Sequence, residues 1–435
     1  MALAEAKLDA LSGRIAGLSF AAKGWLGVAR RTALDRLGAM GLPGRRDEYW
    51  RYTDPATLIA PEAPPAVLFD AGDEPPVFDT LDRVKIVFVD GEFDARASDD
   101  PRLAGVEIER LTEAGGRDSH WAQGLYGMLE ARGQTPVQRP LAALNSAFAT
   151  DGLLIRVTGR AKKPISLIYR RLSETSDAIL HHCIKLDPGA ELTLLENGPA
   201  AARFTKVMEV EVAEGARFHH IRSQGRDHQR RAATHIFARL GTRSLFKSFT
   251  LTANGRMTRN ECVIELAGEA GVAHVAGAAV GDGDFHHDDT VFVTHAAPAC
   301  ESRQVFKKVL KNGATGVFQG KILVTSAAQK TDGYQISQSL LLDDDSQFLA
   351  SRSWRSMPMT SSAATAPPLA RSTRRRCSTC NRAACRSVWR SRCWCWPFWP
   401  KPSARSRMRG LPTTYAAVWK AGCTGTIIEG ASVWP

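Results

Sequence analysis

The chain has 435 residues, 44% of them hydrophobic, which suits a soluble globular protein of two or three domains. Its formal charge of +12 invites a nucleic-acid or membrane reading, but fifteen of the 57 Lys+Arg and only Glu429 of the 45 Asp+Glu follow residue 350. The first 350 residues therefore carry 42 bases against 44 acids, and the basic character belongs to the tail alone. Cys183, Cys262 and Cys300 are scattered through the body while the other six cysteines follow residue 376, a pattern without a disulfide framework that fits a reducing compartment. Glu5 and Asp9 stand where a signal peptide needs an apolar run, and no apolar run reaches the roughly 18 residues of a spanning helix. The cytoplasm is the expected location.

Residues 1–40 place Leu8, Leu11, Ile15, Leu18, Trp25, Leu26, Leu34 and Leu37 at three- and four-residue spacing, which predicts one or two amphipathic helices stopped by Pro43 and Gly44. The aromatics of residues 46–54 (Tyr49, Trp50, Tyr52) read as packing that pins this helical region to the next domain rather than as a ligand platform. Residues 84–91, 153–157 and 165–169 read as strands, with short helices at residues 121–129 and 140–148 between them. The expected divisions are a helical region over 1–80, a mixed α/β segment over 81–152, a β core over 153–350 and a distinct tail over 351–435.

The core reads as strands of four to eight residues bounded by turn pairs. Gly189-Ala190, Gly215-Ala216 and Gly241-Thr242 fall 26 apart, and Gly271 follows 30 later. That quasi-period without intervening helices predicts a β-solenoid, with a β-sandwich as the competing architecture. The stretch Phe285, His286, His287, Asp288, Asp289 has metal-ligand chemistry, but strand alternation sends His286 and Asp288 to one face and His287 and Asp289 to the other. A solvated solenoid face is the expected setting, for these and for His219-His220. The three body cysteines read as buried small apolar groups, and Gly281-Asp282-Gly283 as a turn. The body holds no phosphate loop, nucleophile elbow or His-Glu-x-x-His helix.

Residues 301–342 run as apolar pulses separated by Asn-Gly, Gly-Lys and Asp-Gly breaks, and the polar string of residues 328–335 is expected on the surface of a sheet. This stretch resembles the motif that ends the core of the SufB/SufD family of iron-sulfur cluster assembly proteins. The Glu-Tyr-Trp-Arg-Tyr-Thr string at residues 48–53 and residues 144–152 resemble that family too. Within it, a short core without a multi-cysteine segment resembles the SufD branch. The resemblance implies a mainly β protein: a right-handed parallel β-helix behind an amino-terminal helical region and before a carboxy-terminal helical domain. It implies a non-catalytic scaffold that pairs with SufB through the β-helix and binds the SufC ABC-type ATPase through the last domain. No nucleic-acid or membrane partner is implied. The cluster would form transiently on the complex, with no cofactor, metal or catalytic residue held by this chain alone. Gln329, Lys330, Thr331, Asp332 and Gln335 are the motif residues that would face an interface.

After residue 350 the texture changes: seven of ten Trp, six of nine Cys and thirteen Arg fall in 85 residues. Cys377, Cys380, Cys385, Cys393 and Cys395 mimic metal-ligand spacing. A one-base change of reading frame explains more. Cys393-Trp-Cys-Trp-Pro-Phe-Trp-Pro400 shifts to x-Leu-Val-Leu-Ala-x-Leu-Ala, an apolar helix. Residues 361–368 permit Val-Lys-Cys-Ser-His-Gly-Ala-Thr, which resembles the family's Cys-Ser-His-Gly motif, and Ile428-Glu429 permits a stop codon. Where that Cys and His would stand the chain has Ala363 and Thr365, so loss of the carboxy-terminal domain and impaired partner binding are expected. The competing readings are a β-solenoid carbohydrate-active enzyme using Asp282, Asp284, Asp288 and Asp289, which needs those carboxylates clustered, and a nucleic-acid binder resting only on the tail.

Overall fold

A computed structural model describes residues 2–20, 23–68, 76–225, 227–356, 362–365 and 369–371, with side chains described over 5–351. The first of two compact units spans residues 1–69 and 82–368, and the second spans 70–81 and 369–435. In the second, Leu369–Arg371 is a short strand. The rest of the tail, and with it the expectation of a lost helical domain, lies outside the described residues. The sheets and helices of the core all belong to the first unit.

The helices are Ala2–Ile15 (α1), Gly24–Met40 (α2), Ala56–Ile59 (α3), Leu111–Ala114 (α4), Met128–Arg132 (α5) and Pro140–Phe148 (α6). Helix α2 ends where Gly41 takes φ 65° and returns its N–H to the Leu37 carbonyl. Pro140 opens α6, where a missing N–H costs nothing, and every residue of that helix is buried.

The strands are Val84–Val89 (β1), Glu92–Asp94 (β2), Glu107–Arg110 (β3), Leu153–Val157 (β4), Ile165–Arg170 (β5), Asp177–Leu186 (β6), Glu191–Asn197 (β7), Arg203–Val212 (β8), Arg217–Gln224 (β9), Arg231–Leu240 (β10), Leu245–Ala253 (β11), Met257–Leu266 (β12), Val272–Asp282 (β13), His286–His295 (β14), Glu301–Lys311 (β15), Thr315–Val324 (β16), Asp332–Leu341 (β17), Gln347–Ser356 (β18) and Ser362–Thr365 (β19). From β4 onward, consecutive strands alternate between two sheets. One runs β19-β17-β15-β13-β11-β9-β7-β5-β1-β2 and the other β18-β16-β14-β12-β10-β8-β6-β4-β3. Apart from β1–β2 and β3–β4, the pairings within these two rows are parallel. This is a β-solenoid of about seven turns, not a sandwich. The Gly-Lys break expected at residues 320–321 does not end a strand: β16 runs through it, because Gly320 continues the ladder opposite Val291. The parallel backbone ladder also runs past residue 350, to Val324↔Ser356 and Asp332↔Ser362.

Inward residues of both sheets form one core, among them Ile155, Leu167, Leu180, Phe204, Phe218, Phe246, Val293 and Phe318. The outward face of β4, β6, β10 and β12 is covered by the helical region: Leu154, Ile179, Cys183, Ala233 and Met257 pack with Leu26, Leu37, Tyr126, Leu144 and Phe148. Asn145 of α6 fastens the cover by donating to the carbonyls of Leu180 and Thr205, both at 3.1 Å.

The turn repeat has a backbone cause. At one corner of successive rungs, Gly189, Gly215, Arg243, Ala270, Ala299 and Lys330 take φ between 51° and 72°. The N–H of Gly189 reaches the Glu214 carbonyl of the next rung, and Gly215, Arg243, Ala270 and Ala299 repeat this contact onto Thr242, Glu269, Pro298 and Gln329. Gly241 and Gly271 only neighbour the left-handed position, so the apparent spacing of 26 drifts. Left-handed backbone costs an L-residue about 1–2 kcal/mol, so Ala270→Gly and Ala299→Gly are expected to stabilise by about 0.5–1 kcal/mol after the unfolded-state penalty of glycine. Gly215→Ala is expected to destabilise by about 1 kcal/mol although its side chain meets nothing within 4 Å. Urea midpoints check all three, and the opposite sign for the two glycine substitutions would refute the shared corner geometry.

Candidate functional site

Strand parity divides residues 285–295 as expected, but neither face is solvated. Outward-facing Asp288 is fully buried because residues 49–54 lie over it. It accepts hydrogen bonds from Thr53 Oγ1 (2.7 Å), Arg259 (2.6 Å) and Gln319 Nε2 (3.1 Å). Arg259 and Gln319 also donate to the Tyr49 carbonyl, Trp50 lies under the Arg259 guanidinium at 4.2 Å, and Tyr49 packs edge-on against Phe292. The aromatic segment thus pins the helical region to the solenoid. Arg259 and Arg139 share Glu261, each at 2.7 Å. Burial alone would raise the Glu261 carboxyl, but the two guanidiniums outweigh it and hold it at about 2.

Inside the solenoid, polar side chains stack from rung to rung. Lys206, Thr234, Asn260 and Asp289 occupy one register row of the second sheet, while Glu196, Arg222 and Thr250 occupy a row of the first. Glu196 accepts both contacts of Lys206 Nζ at 2.5 Å, the hydroxyl of Tyr169 at 2.8 Å, and lies 2.8 Å from His220 Nε2. Arg222 donates to Thr234, Thr234 to Asn260, and Asn260 Nδ2 lies 3.1 Å from His287 Nε2. Lys308 closes the series 2.9 Å from Asp289 and 3.1 Å from His287 Nδ1. His220 and His287, expected at a solvated face, sit here because their parity matches the apolar residues of their strands.

Burial would raise the Glu196 carboxyl, but Lys206, His220 and Arg222 hold it well below the carboxylate range. Burial lowers Lys206 to about 8 against the pull of Glu196, and burial with Lys206 nearby lowers His182 to about 3. At neutral pH the pair is therefore ionised and His182 neutral. A cavity of about 10 Å³, room for one water, opens beside Glu196, Lys206 and Arg222. Glu196 and Lys206 were missed by sequence reasoning. Their signal was a charge at the apolar phase of a strand, as in Phe204, Lys206, Met208.

The motif residues disperse. Thr331 and Gln335 are buried, and Gln335 donates inside the solenoid to Gln304 at 2.7 Å. Asp332 pairs with Arg303 at 2.6 Å, Gln329 closes a turn onto the Ser326 carbonyl, and Lys330 is exposed at the corner. The polar string is not simply surface, because β17 begins at Asp332 and sends every second residue inward. The carboxylates of the carbohydrate-enzyme reading do not converge: Asp288 and Asp289 face opposite ways, Asp282 pairs with Lys311, and Asp284 lies near Arg256. The body cysteines are buried as expected.

The family described as "SUF system FeS cluster assembly, SufBD core domain" matches residues 170–351, from the end of β5 into β18. This chain is SufD-like, and its similarity to the SufBD core family lies over those residues. It is 26% identical over 326 residues to the iron-sulfur cluster assembly protein SufD of Escherichia coli, covering 71% of this chain and 72% of that protein. It is 25% identical to a SufBD family protein of Synechocystis over 73% of this chain and 74% of the relative. A Mycobacterium tuberculosis SufBD family protein is 22% identical over 49% of this chain and 55% of its own length. The SufBD core thus coincides with the polar-filled solenoid. Among the described residues no helix is long and apolar enough to cross a membrane.

Removing one partner of the buried pair strands the other, so Lys206→Met is expected to cost about 3–5 kcal/mol and Glu196→Gln/Lys206→Met together to recover much of it. Strictly additive losses in urea unfolding would show the two to be uncoupled. Burial also lowers His235 and His295 to about 4. The unfolded chain takes up protons near pH 6.5 while folded His182, His235 and His295 wait until about pH 3–4. Their stabilising effect is complete above pH 6.5 and is lost as pH falls toward 4. Melting temperature should fall throughout that window, before most carboxylates titrate, and a flat profile would contradict the neutral-histidine assignment.

Proposed function

We propose that this chain is a scaffold subunit of the SUF iron-sulfur cluster assembly complex, pairing with SufB through the β-helix and with the SufC ABC-type ATPase through its carboxy-terminal domain. The observation that carries this reading is the SufBD core match across the solenoid, with a SufD relative aligned over 71% of the chain. A scaffolding role is supported by the interior, where charges are spent on one another, as in Glu196–Lys206 and Asp289–Lys308. Iron and sulfide are cargo, assembled on the complex rather than held by this chain alone. Of the motif residues, Lys330 and Asp332 remain accessible enough to meet a partner, while Thr331 and Gln335 shape the rung behind them. The reading places the complex in the cytoplasm.

The SufC contact is impaired here. The family match stops at residue 351, where the reading frame is inferred to change, and Ala363 and Thr365 stand at the positions of the family's Cys and His. The frame is tested directly by sequencing the DNA around codon 350. Co-expressed with SufB and SufC, the chain as written is expected to leave SufC behind on purification, and a version with the frame restored after residue 350 to retain it. Equal recovery of SufC with both versions would sink the impairment. Failure of the frame-restored version to recover either partner would sink the scaffold reading itself.

A further inference from the structure

A second polar cluster lies on the other face of the same strands, outside the solenoid interior and beneath the helical cover. His181 and Cys183 project from one face of β6, and Cys183 stands in register with Glu209 of β8. His181 Nε2 is 2.9 Å and Cys183 Sγ 3.9 Å from Glu209 Oε2, and the three ligand atoms all lie within 4.8 Å of one another. All three side chains are fully buried. We propose that His181, Cys183 and Glu209, all on the solenoid strands β6 and β8, bind a borderline-soft divalent ion of the zinc class beneath the helical cover. This inference rests on geometry and is independent of the scaffold reading.

Four features carry it. The donor set of imidazole, thiolate and carboxylate suits such an ion, and the ligand separations need only small adjustment to surround one with bonds of about 2.0–2.3 Å. Charge balances: one thiolate and one carboxylate neutralise a divalent cation, so the buried site carries no net charge. The carboxylate is already oriented, since the backbone N–H groups of Gly127 and Glu130 donate to its two oxygens at 2.5 and 2.8 Å, and Tyr126 stacks on the His181 ring at 4.0 Å. Finally, His181 Nδ1 has no hydrogen-bond partner among the described residues, so Nε2 is the nitrogen that the surroundings engage. On binding, the ion replaces the thiol proton, which leaves to solvent, and the neutral imidazole ligates through Nε2 with its proton on Nδ1. Because residues 121–134 close over the cluster, loading belongs to folding.

The full chain expressed in minimal medium with Co²⁺, and purified under reducing conditions, tests this. Wild type is expected to carry one more equivalent of cobalt than Cys183→Ala, with a thiolate-to-cobalt charge-transfer band that the variant lacks, and Zn²⁺-loaded wild type to melt at a higher temperature than its metal-free form. The six tail cysteines bind alike in both proteins, so only the difference counts. Equal cobalt content and equal bands, with circular dichroism showing both proteins folded, would overturn the proposal. If Cys183→Ala does not fold, Cys183→Ser takes its place, and absence of any zinc effect on wild-type melting overturns the proposal without a variant.

Discussion

A parallel stack obliges each inward position to face the same position of the next rung. Inside this solenoid a polar residue cannot be satisfied alone, because its neighbours above and below in the ladder are fixed by backbone register. The row Lys206, Thr234, Asn260, Asp289 and the row Glu196, Arg222, Thr250 meet this demand by setting acid, base and neutral donors against one another across the interior. The column makes one rung sensitive to the next. A change at Glu196 touches Tyr169, Lys206 and His220 at once, so stability and register here are properties of several turns rather than of one strand.

The outward face of the second sheet has the same difficulty in another form. Glu209, Arg259, Glu261 and Asp288 are buried there only because α5, α6 and residues 49–54 lie over them. Exposed, these groups would be ordinary surface charge, whereas covered they must pair, and their partners include backbone groups of the cover itself. The helical region is therefore not an appended domain but part of how that face is satisfied. Adjacent residues of one strand consequently live in different chemistry: His181 stacks under Tyr126 outside, and His182 lies 3.1 Å from the Tyr169 hydroxyl inside.

Much of this was legible in the sequence because periodicity reports burial directly. The strand at Val84–Val89, helix Pro140–Phe148 and the parity of His286 through Asp289 all follow from side-chain alternation or spacing. What alternation cannot tell is whether the outward face meets water, so the covered Asp288 was read as solvated. Nor does it distinguish a turn glycine from its neighbour: Gly241 stood out, while Arg243 takes the left-handed conformation. Glu196 of β7 and Lys206 of β8 are ten residues apart and meet because consecutive strands lie in opposite sheets and face each other across the interior, a relation that no local pattern contains.

The same distinction between backbone and side chain bears on the tail. A parallel ladder is held by main-chain groups that any residue except proline supplies, so Gln347–Ser356 can pair with β16 whether or not its codons are read in the family's frame. A docking surface has no such tolerance, because it depends on which side chains stand where. The frame change proposed near residue 350 would therefore separate two properties that usually travel together: backbone pairing of the last rung would persist, and specific recognition beyond it would not.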